Sequence, residues 1–245
     1  MNSIYESEKL LAEYLLFHFG KAEEILPPPR VWPSGMLEAL DFPVRTVAHF
    51  SPGLVDRGLD LGCAVGRSTG EMARSCHEVI GIDYSHAFID AADTLKSGGL
   101  LAYDRREEGA RVTRLAASFP AGVEVGRLRF HQGDAMHLPL DLGAFDRVHA
   151  ANLLCRLPEP LRLIERLPDL VKPGGELVLA TPCTWLEEFT PTTNWPSNRT
   201  FEWLETLLKP DFSLLRQADE PFLIRETARK FQWTTSLVTV WRRHH

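Results

Sequence analysis

Cysteine is scarce in this chain. Cys63, Cys76, Cys155 and Cys183 are spread over 245 residues with no C-x-x-C pair, which argues against a cysteine-based zinc site and a disulfide framework. Reduced thiols, a cytoplasmic location and no bound metal are the corresponding expectations. Basic blocks are missing too: Lys and Arg total 27 against 33 Asp and Glu, a net charge of -6, whereas a nucleic-acid backbone asks for a basic face. No apolar run is long enough to cross a bilayer. The start, Met1-Asn2-Ser3-Ile4-Tyr5-Glu6, has neither the basic nor the apolar region of a signal peptide. Neither nucleic acid nor membrane is expected as a partner, and the short lead after Met1 fits a free-standing chain. Internal repeats are absent. With 44% hydrophobic and 24% charged residues, the chain has enough apolar mass for a full core, and global disorder is not expected.

Residues 3–19 carry apolar side chains at helical spacing, Ile4, Leu10, Leu11, Tyr14, Leu15, Phe17 and Phe19 among acids. Pro27-Pro28-Pro29 stops any helix, and residues 35–50 read as a second helix weakened by Pro43. From Gly58 strand and helix patterns alternate: strand 58–62, helix 66–76, strand 78–83, helix 86–97, strand 127–133, strand 145–151, helix 159–170 and strand 176–181. Between them, residues 99–127 are charged and read as a helical or loop insertion. Helix 200–209 and two late strands, 212–216 and 231–242, complete the pattern. Such alternation means an α/β fold with a parallel sheet and helices on both faces, closed here by an antiparallel pair. We expect one domain over 1–245, with an N-terminal helical lid (1–50), a core (51–182) and a sheet-closing, acceptor-recognising region (183–243).

A G-x-G-x-x-G turn, which lets backbone close on a pyrophosphate, is also missing. In its place stands Asp60-Leu61-Gly62-Cys63-Ala64-Val65-Gly66, a wider turn with an acid where a pyrophosphate would lie. A cofactor with no phosphate and a positive end suits it, and S-adenosylmethionine (SAM) is such a cofactor. In open α/β sheets ligands sit beyond the carboxyl ends of the strands, and four strand ends here carry suitable groups. Gly62 and Gly66 admit backbone amides to the methionine part, and Asp60 accepts from its ammonium, directly or through water. Asp83, with Tyr84 beside it, takes the two ribose hydroxyls. Asp134 accepts from the adenine amine, the Ala135 amide donates to a ring nitrogen, and Asn152 closes the set. Singly, each of these acids and glycines is an ordinary turn residue. Their order at successive strand ends, ending in Lys172-Pro173-Gly174-Gly175, resembles the class I SAM-dependent methyltransferases over about residues 55–182. That resemblance implies a Rossmann-like, seven-stranded, mostly parallel sheet with an antiparallel last strand, and S-adenosylhomocysteine (SAH) as product.

One sheet serves many acceptors, and the residues alone leave open another small amine, imidazole or thiol, or a SAM-binding module that serves a partner without chemistry. Three segments are more particular: Ala151-Asn152-Leu153-Leu154-Cys155-Arg156-Leu157, Thr181-Pro182-Cys183-Thr184-Trp185-Leu186-Glu187-Glu188-Phe189-Thr190-Pro191, and Pro221-Phe222-Leu223-Ile224-Arg225-Glu226-Thr227-Ala228-Arg229-Lys230-Phe231-Gln232-Trp233. With the N-terminal Glu13-Tyr14-Leu15-Leu16-Phe17-His18-Phe19-Gly20 they resemble the ovothiol-biosynthesis methyltransferases over roughly residues 5–243. This is the 4-mercaptohistidine (5-thiohistidine) N-methyltransferase family, related to the C-terminal domain of 5-histidylcysteine sulfoxide synthases. The resemblance implies methylation of the imidazole π nitrogen of 5-thiohistidine, giving ovothiol A, and a functional link to such a synthase. For that acceptor, Arg225 or Arg229 would hold a carboxylate, and Glu187, Glu188 or Glu226 an ammonium. Trp185, Trp195, Phe231 and Trp233 would wall the ring. His18 or Glu187 is the candidate base, and Asn152 joins them beside the reacting centre.

Overall fold

The computed structural model describes residues 3–245, with side chains from Tyr5 onward. Helix α1 (Glu8–Phe19) starts where the Ser7 hydroxyl accepts from the Leu10 amide at 3.3 Å, an N-cap that satisfies one orphan donor. The helix expected over 35–50 is broken. After a short turn α2 (Ala22–Ile25), two pieces, α3 (Ser34–Glu38) and α4 (Phe42–Val47), replace it, because Asp41 enters the left-handed region (φ 58°) and Pro43 stands in the first turn of α4.

The alternating core follows: β1 (Val55–Leu61), α5 (Arg67–Met72), β2 (Cys76–Asp83), α6 (His86–Lys96), β5 (Leu128–Gln132), β6 (Phe145–Ala151), α7 (Pro160–Leu170) and β7 (Val171–Thr181). Between α6 and β5 the expected helical or loop insertion is instead an antiparallel hairpin, β3 (Leu101–Glu108) and β4 (Arg111–Ala117). Gly109, at φ 56°, turns it. Its alternation is hidden in sequence because charged side chains occupy even the half-buried face, at Arg105 and Glu107. After α8 (Thr200–Leu208), strands β8 (Phe212–Arg225) and β9 (Phe231–Arg243) form a long hairpin. Strand β8 runs nine residues beyond its expected end, straight through Pro221. It lies at the sheet edge, where a proline costs no interior ladder bond.

Among the described residues the main sheet has seven strands in the order β5-β2-β1-β6-β7-β9-β8, with β9 antiparallel to both neighbours and β1, β2, β5, β6 and β7 mutually parallel. Period-two alternation loads both faces. Leu59, Leu61, Leu177 and Leu179 pack with Leu163 and Leu167 of α7 and Leu204 of α8. Val178, Ala180 and Val238 pack with Phe42 of α4, Met72 of α5 and Ile89 of α6. Burying each large aliphatic side chain contributes about 1.5–3 kcal/mol. This two-faced sheet fixes the strand ends that bear the site. Among the described residues no helix is long and apolar enough to cross a membrane.

Candidate active site

A cavity of about 490 Å³ opens at the carboxyl ends of β1, β2, β5 and β6, where a sheet of this kind places its ligands. The glycine turn forms its floor. Gly62 sits at φ 70°, where an added Cβ would lie 3.2 Å from Leu153 Cδ1. Gly66, at φ 88°, ends the turn, and a Cβ there would meet Phe130 Cζ at 2.7 Å. Both positions need glycine for conformation and for space. The Gly62 and Cys63 amides bond to the Ile82 carbonyl at 2.8 and 3.2 Å, tying the turn to the end of β2.

Asp83 stands at that end. Its two carboxylate oxygens accept from the Ala64 and Ser85 amides, each at 2.9 Å, leaving lone pairs for a ligand. Burial pushes its pKa up to about 6, against the pull of those amides. Tyr84 lines the cavity from an exposed position. Asp134 and buried Ala135 line it at the end of β5. Asp134 accepts from the Met136 amide and from His137 Nδ1, both at 2.9 Å. Asn152, beyond β6, adopts φ 55°. Its Oδ1 accepts from Ser236 Oγ at 2.7 Å, so its amide nitrogen is the end left for the cavity.

Asp60 is placed differently from its neighbours. It is 1% exposed and lies beneath the cavity rather than on its lining. Oδ1 accepts from His149 Nδ1 at 2.8 Å, while Oδ2 accepts from the Ser68 and Thr69 hydroxyls at 2.7 Å each. Burial opposes ionisation here, but those three partners together hold the carboxyl below its usual range. His149 and Ser68 line the cavity in its stead.

The roof comes from chain segments far away. α1 supplies Glu13, Tyr14, Phe17 and His18; Phe88 and Phe189 add rings, and β8 and β9 add Phe222, Ile224, Gln232 and Thr234. His18 is buried, and its Nδ1 has no partner among the described residues. Burial drives its pKa down to about 3. The Tyr14 ring stacks on it at 5.8 Å. Glu13 is buried as well, with Oε1 unbonded and the Lys9 ammonium 3.7 Å away. Burial raises its carboxyl.

Several acceptor residues named from sequence fall outside this lining. Strand parity explains most of it. On the terminal hairpin, the cross-strand partners Phe222–Thr234 and Ile224–Gln232 face the cavity. Leu223–Trp233 and Arg225–Phe231 face the other way, since side chains alternate along a strand. Arg225 is buried against Glu107 (Nη2 to Oε2, 2.6 Å) and the Ile25 carbonyl (2.9 Å). Phe231 meets Trp32 edge-on at 5.2 Å, and Trp233 is 56% exposed beside Gly35. Arg229 is exposed in the hairpin turn. In the loop after β7, Thr184, Leu186, Glu188 and Phe189 line the cavity, whereas Trp185 and Glu187 do not. Trp185 donates to Thr200 Oγ1 at 3.0 Å and packs on Trp203. Tyr5, Tyr14, His149 and Arg156 line the site without having been named for it. Of these, Tyr14 and Arg156 lie in segments quoted from the sequence for the acceptor. No group of three or more His, Cys, Asp or Glu among the described residues is placed to hold a metal.

Residues 59–179 match the family model described as a methyltransferase domain. This segment is a class I SAM-dependent methyltransferase domain. SAM is the cofactor of that class and SAH its product, and the floor fits: left-handed glycines where a side chain would intrude, a half-buried carboxylate with free lone pairs, and the Asp134-Ala135 turn. The chain is similar to the tRNA U34 carboxymethyltransferase of Mannheimia succiniciproducens, 29% identical over 207 residues, covering 77% of this chain and 55% of the relative. It is also similar to Methyltransferase GfsG of Streptomyces halstedii, 28% identical over 123 residues, covering 50% of this chain and 36% of that one. It thus spans about a third to just over half the length of these curated relatives. Among solved structures, the N-methyltransferase NodS from Bradyrhizobium japonicum in complex with SAH shares the fold. The TM-score is 0.56 at 16% identity, covering 96% of this chain and 99% of that one.

Proposed function

We propose that this chain is an N-methyltransferase that transfers the methyl group of SAM to the imidazole π nitrogen of 5-thiohistidine, giving ovothiol A. The observation that carries the reading is the chemistry of the roof. Beyond the cofactor floor, the cavity is walled by Tyr14, Phe17, Phe88, Phe189 and Phe222, and its lining includes Arg156 and Glu188. Neither of these two charged groups has an ion-pair partner within 4.0 Å among the described residues. A flat ring carrying a carboxylate and an ammonium complements that set. The cavity volume of about 490 Å³ and the net charge of -6 weigh against the tRNA acceptor that a relative's name indicates. A functional link to a 5-histidylcysteine sulfoxide synthase follows from the same reading.

Bound SAM supplies a methyl carbon on a sulfonium that needs no further activation. The residues then have three tasks: to orient the ring, exclude water and turn the more nucleophilic sulfur away. His18, held neutral by its low pKa, is a weak proton acceptor and serves as an orienting group through its free Nδ1. Glu13 and Glu188, both on the lining, replace Glu187 as carboxylates for proton removal or ammonium binding. Asn152, with its carbonyl oxygen fixed by Ser236, presents N–H donors to the thiolate or the cofactor. The test is turnover with SAM across 5-thiohistidine, histidine and simple thiols, read by mass. Methylation of thiohistidine alone supports the reading; equal use of histidine removes sulfur from recognition, and turnover of none of the panel favours a SAM-binding module.

A further inference from the structure

We infer that Arg156 is the residue that holds the acceptor's carboxylate, a role that rests on the amino-acid reading above. Arg156 ends a single turn of 3-10 helix (Leu154–Arg156) just beyond β6, on the cavity lining. Its guanidinium lies over the Phe189 ring, 4.6 Å from the centroid. Nη1 donates to the Cys155 carbonyl at 3.2 Å and the Thr184 carbonyl at 3.3 Å, and touches Cys155 Sγ at 3.6 Å. The Tyr5 phenol stands alongside. Burial raises that phenol's pKa despite the opposing pull of Arg156, and burial likewise raises the Cys155 thiol. Every one of these partners is neutral at physiological pH.

Other arginines around the site are matched. Arg67 pairs with Glu71 at 3.0 Å and Arg45 with Glu220 at 2.8 Å. Among the described residues no carboxylate lies within 4.0 Å of Arg156. A half-buried cation among aromatic rings and neutral acceptors is under-compensated, and a carboxylate answers a guanidinium through two parallel N–H···O bonds. Two carboxylates are available in the reaction, the acceptor's and that of the cofactor's methionine part. The partners of Arg156 decide between them. Thr184 and Phe189 belong to the loop after β7, and neither comes from the glycine turn or from the Asp83 and Asp134 strand ends.

The experiment measures calorimetric binding to the SAH-loaded protein for two pairs, 5-thiohistidine with its decarboxylated amine, and histidine with histamine. The wild type is expected to bind the carboxylate member about tenfold or more tightly. In R156Q that preference disappears while SAH affinity stays within about twofold of the wild type; R156K recovers part of it. SAH binding also reports that the variant is folded. A fall in SAH affinity matching the loss of acceptor binding would assign Arg156 to the cofactor and overturn the inference. So would a wild type that does not distinguish the members of either pair, or binds neither carboxylate. Absence of thiohistidine turnover, with the histidine preference intact and lost in R156Q, would instead fault the choice of acceptor alone.

Discussion

Asp60 Oδ1 and His149 Nδ1 lie 2.8 Å apart, each side chain 1% exposed. Through His149 Nε2, 3.1 Å from Thr46 Oγ1, the pair joins the cofactor turn on β1 to helix α4 of the N-terminal segment. Breaking one partner of such a pair leaves the other charged or polar group buried and unanswered. His149→Phe is therefore expected to lower stability by about 3–5 kcal/mol, measured by urea unfolding. It should also weaken SAH binding, because the Ser68 and Thr69 hydroxyls that share Asp60 open the helix behind the glycine turn. Asp60, with its depressed pKa, contributes stability that is present above its unfolded value, near 4, and lost as pH falls through its folded value. Wild-type acid unfolding should show this loss below about pH 4, and Asp60→Asn should lack it.

Asp83 behaves in the opposite direction. Its folded pKa stands at about 6, so the carboxylate that accepts ribose hydroxyls is fully formed only above that value. SAH affinity should be constant at higher pH and fall by up to about tenfold per pH unit below 6. Asp83→Asn should bind weakly and show a flat profile. Calorimetry across pH 5 to 8 reads both.

His18 is neutral throughout that range, its pKa lowered to about 3 by burial. If its free Nδ1 orients the acceptor, His18→Ala should reduce kcat/KM by about 10- to 100-fold. His18→Asn, which restores a polar group near Nδ1, should recover much of the loss. Neither variant should move the pH profile of kcat. A shifted profile would make His18 a base.

Hairpin parity gives a sharper contrast. Trp233→Ala and Arg229→Ala, outside the cavity, are expected to leave acceptor KM within about twofold. Phe222→Ala and Gln232→Ala, on the lining face, should raise it about tenfold. Steady-state kinetics on the four variants decides which face is functional.

Gly62, Asp83, Asp134, Ala135 and Asn152, expected from sequence near the cofactor, all line the cavity because strand–helix alternation locates the strand ends, while Asp60 lies beneath it and Gly66 off the lining. The core strand 145–151 matches residue for residue. The roof was not readable for two physical reasons. Alternation shows which residues share a face but not which face meets the ligand, and Arg225, Phe231 and Trp233 stand one residue out of phase with Ile224, Gln232 and Thr234 of the lining. The rings of α1 lie more than thirty residues before the glycine turn, where their helical spacing reads only as packing. The hairpin of β3 and β4 escaped because Arg105 and Glu107 place charge on its half-buried face, where Arg225 then pairs with Glu107.

The central claim is nitrogen methylation of a thiohistidine, and the position of the new methyl group tests it most directly. With SAM carrying a carbon-13 methyl and 5-thiohistidine as acceptor, two-dimensional NMR of the product should correlate the labelled methyl with the imidazole carbons flanking the π nitrogen. A labelled methyl on sulfur, or no transfer by a protein that binds SAH, would contradict the account.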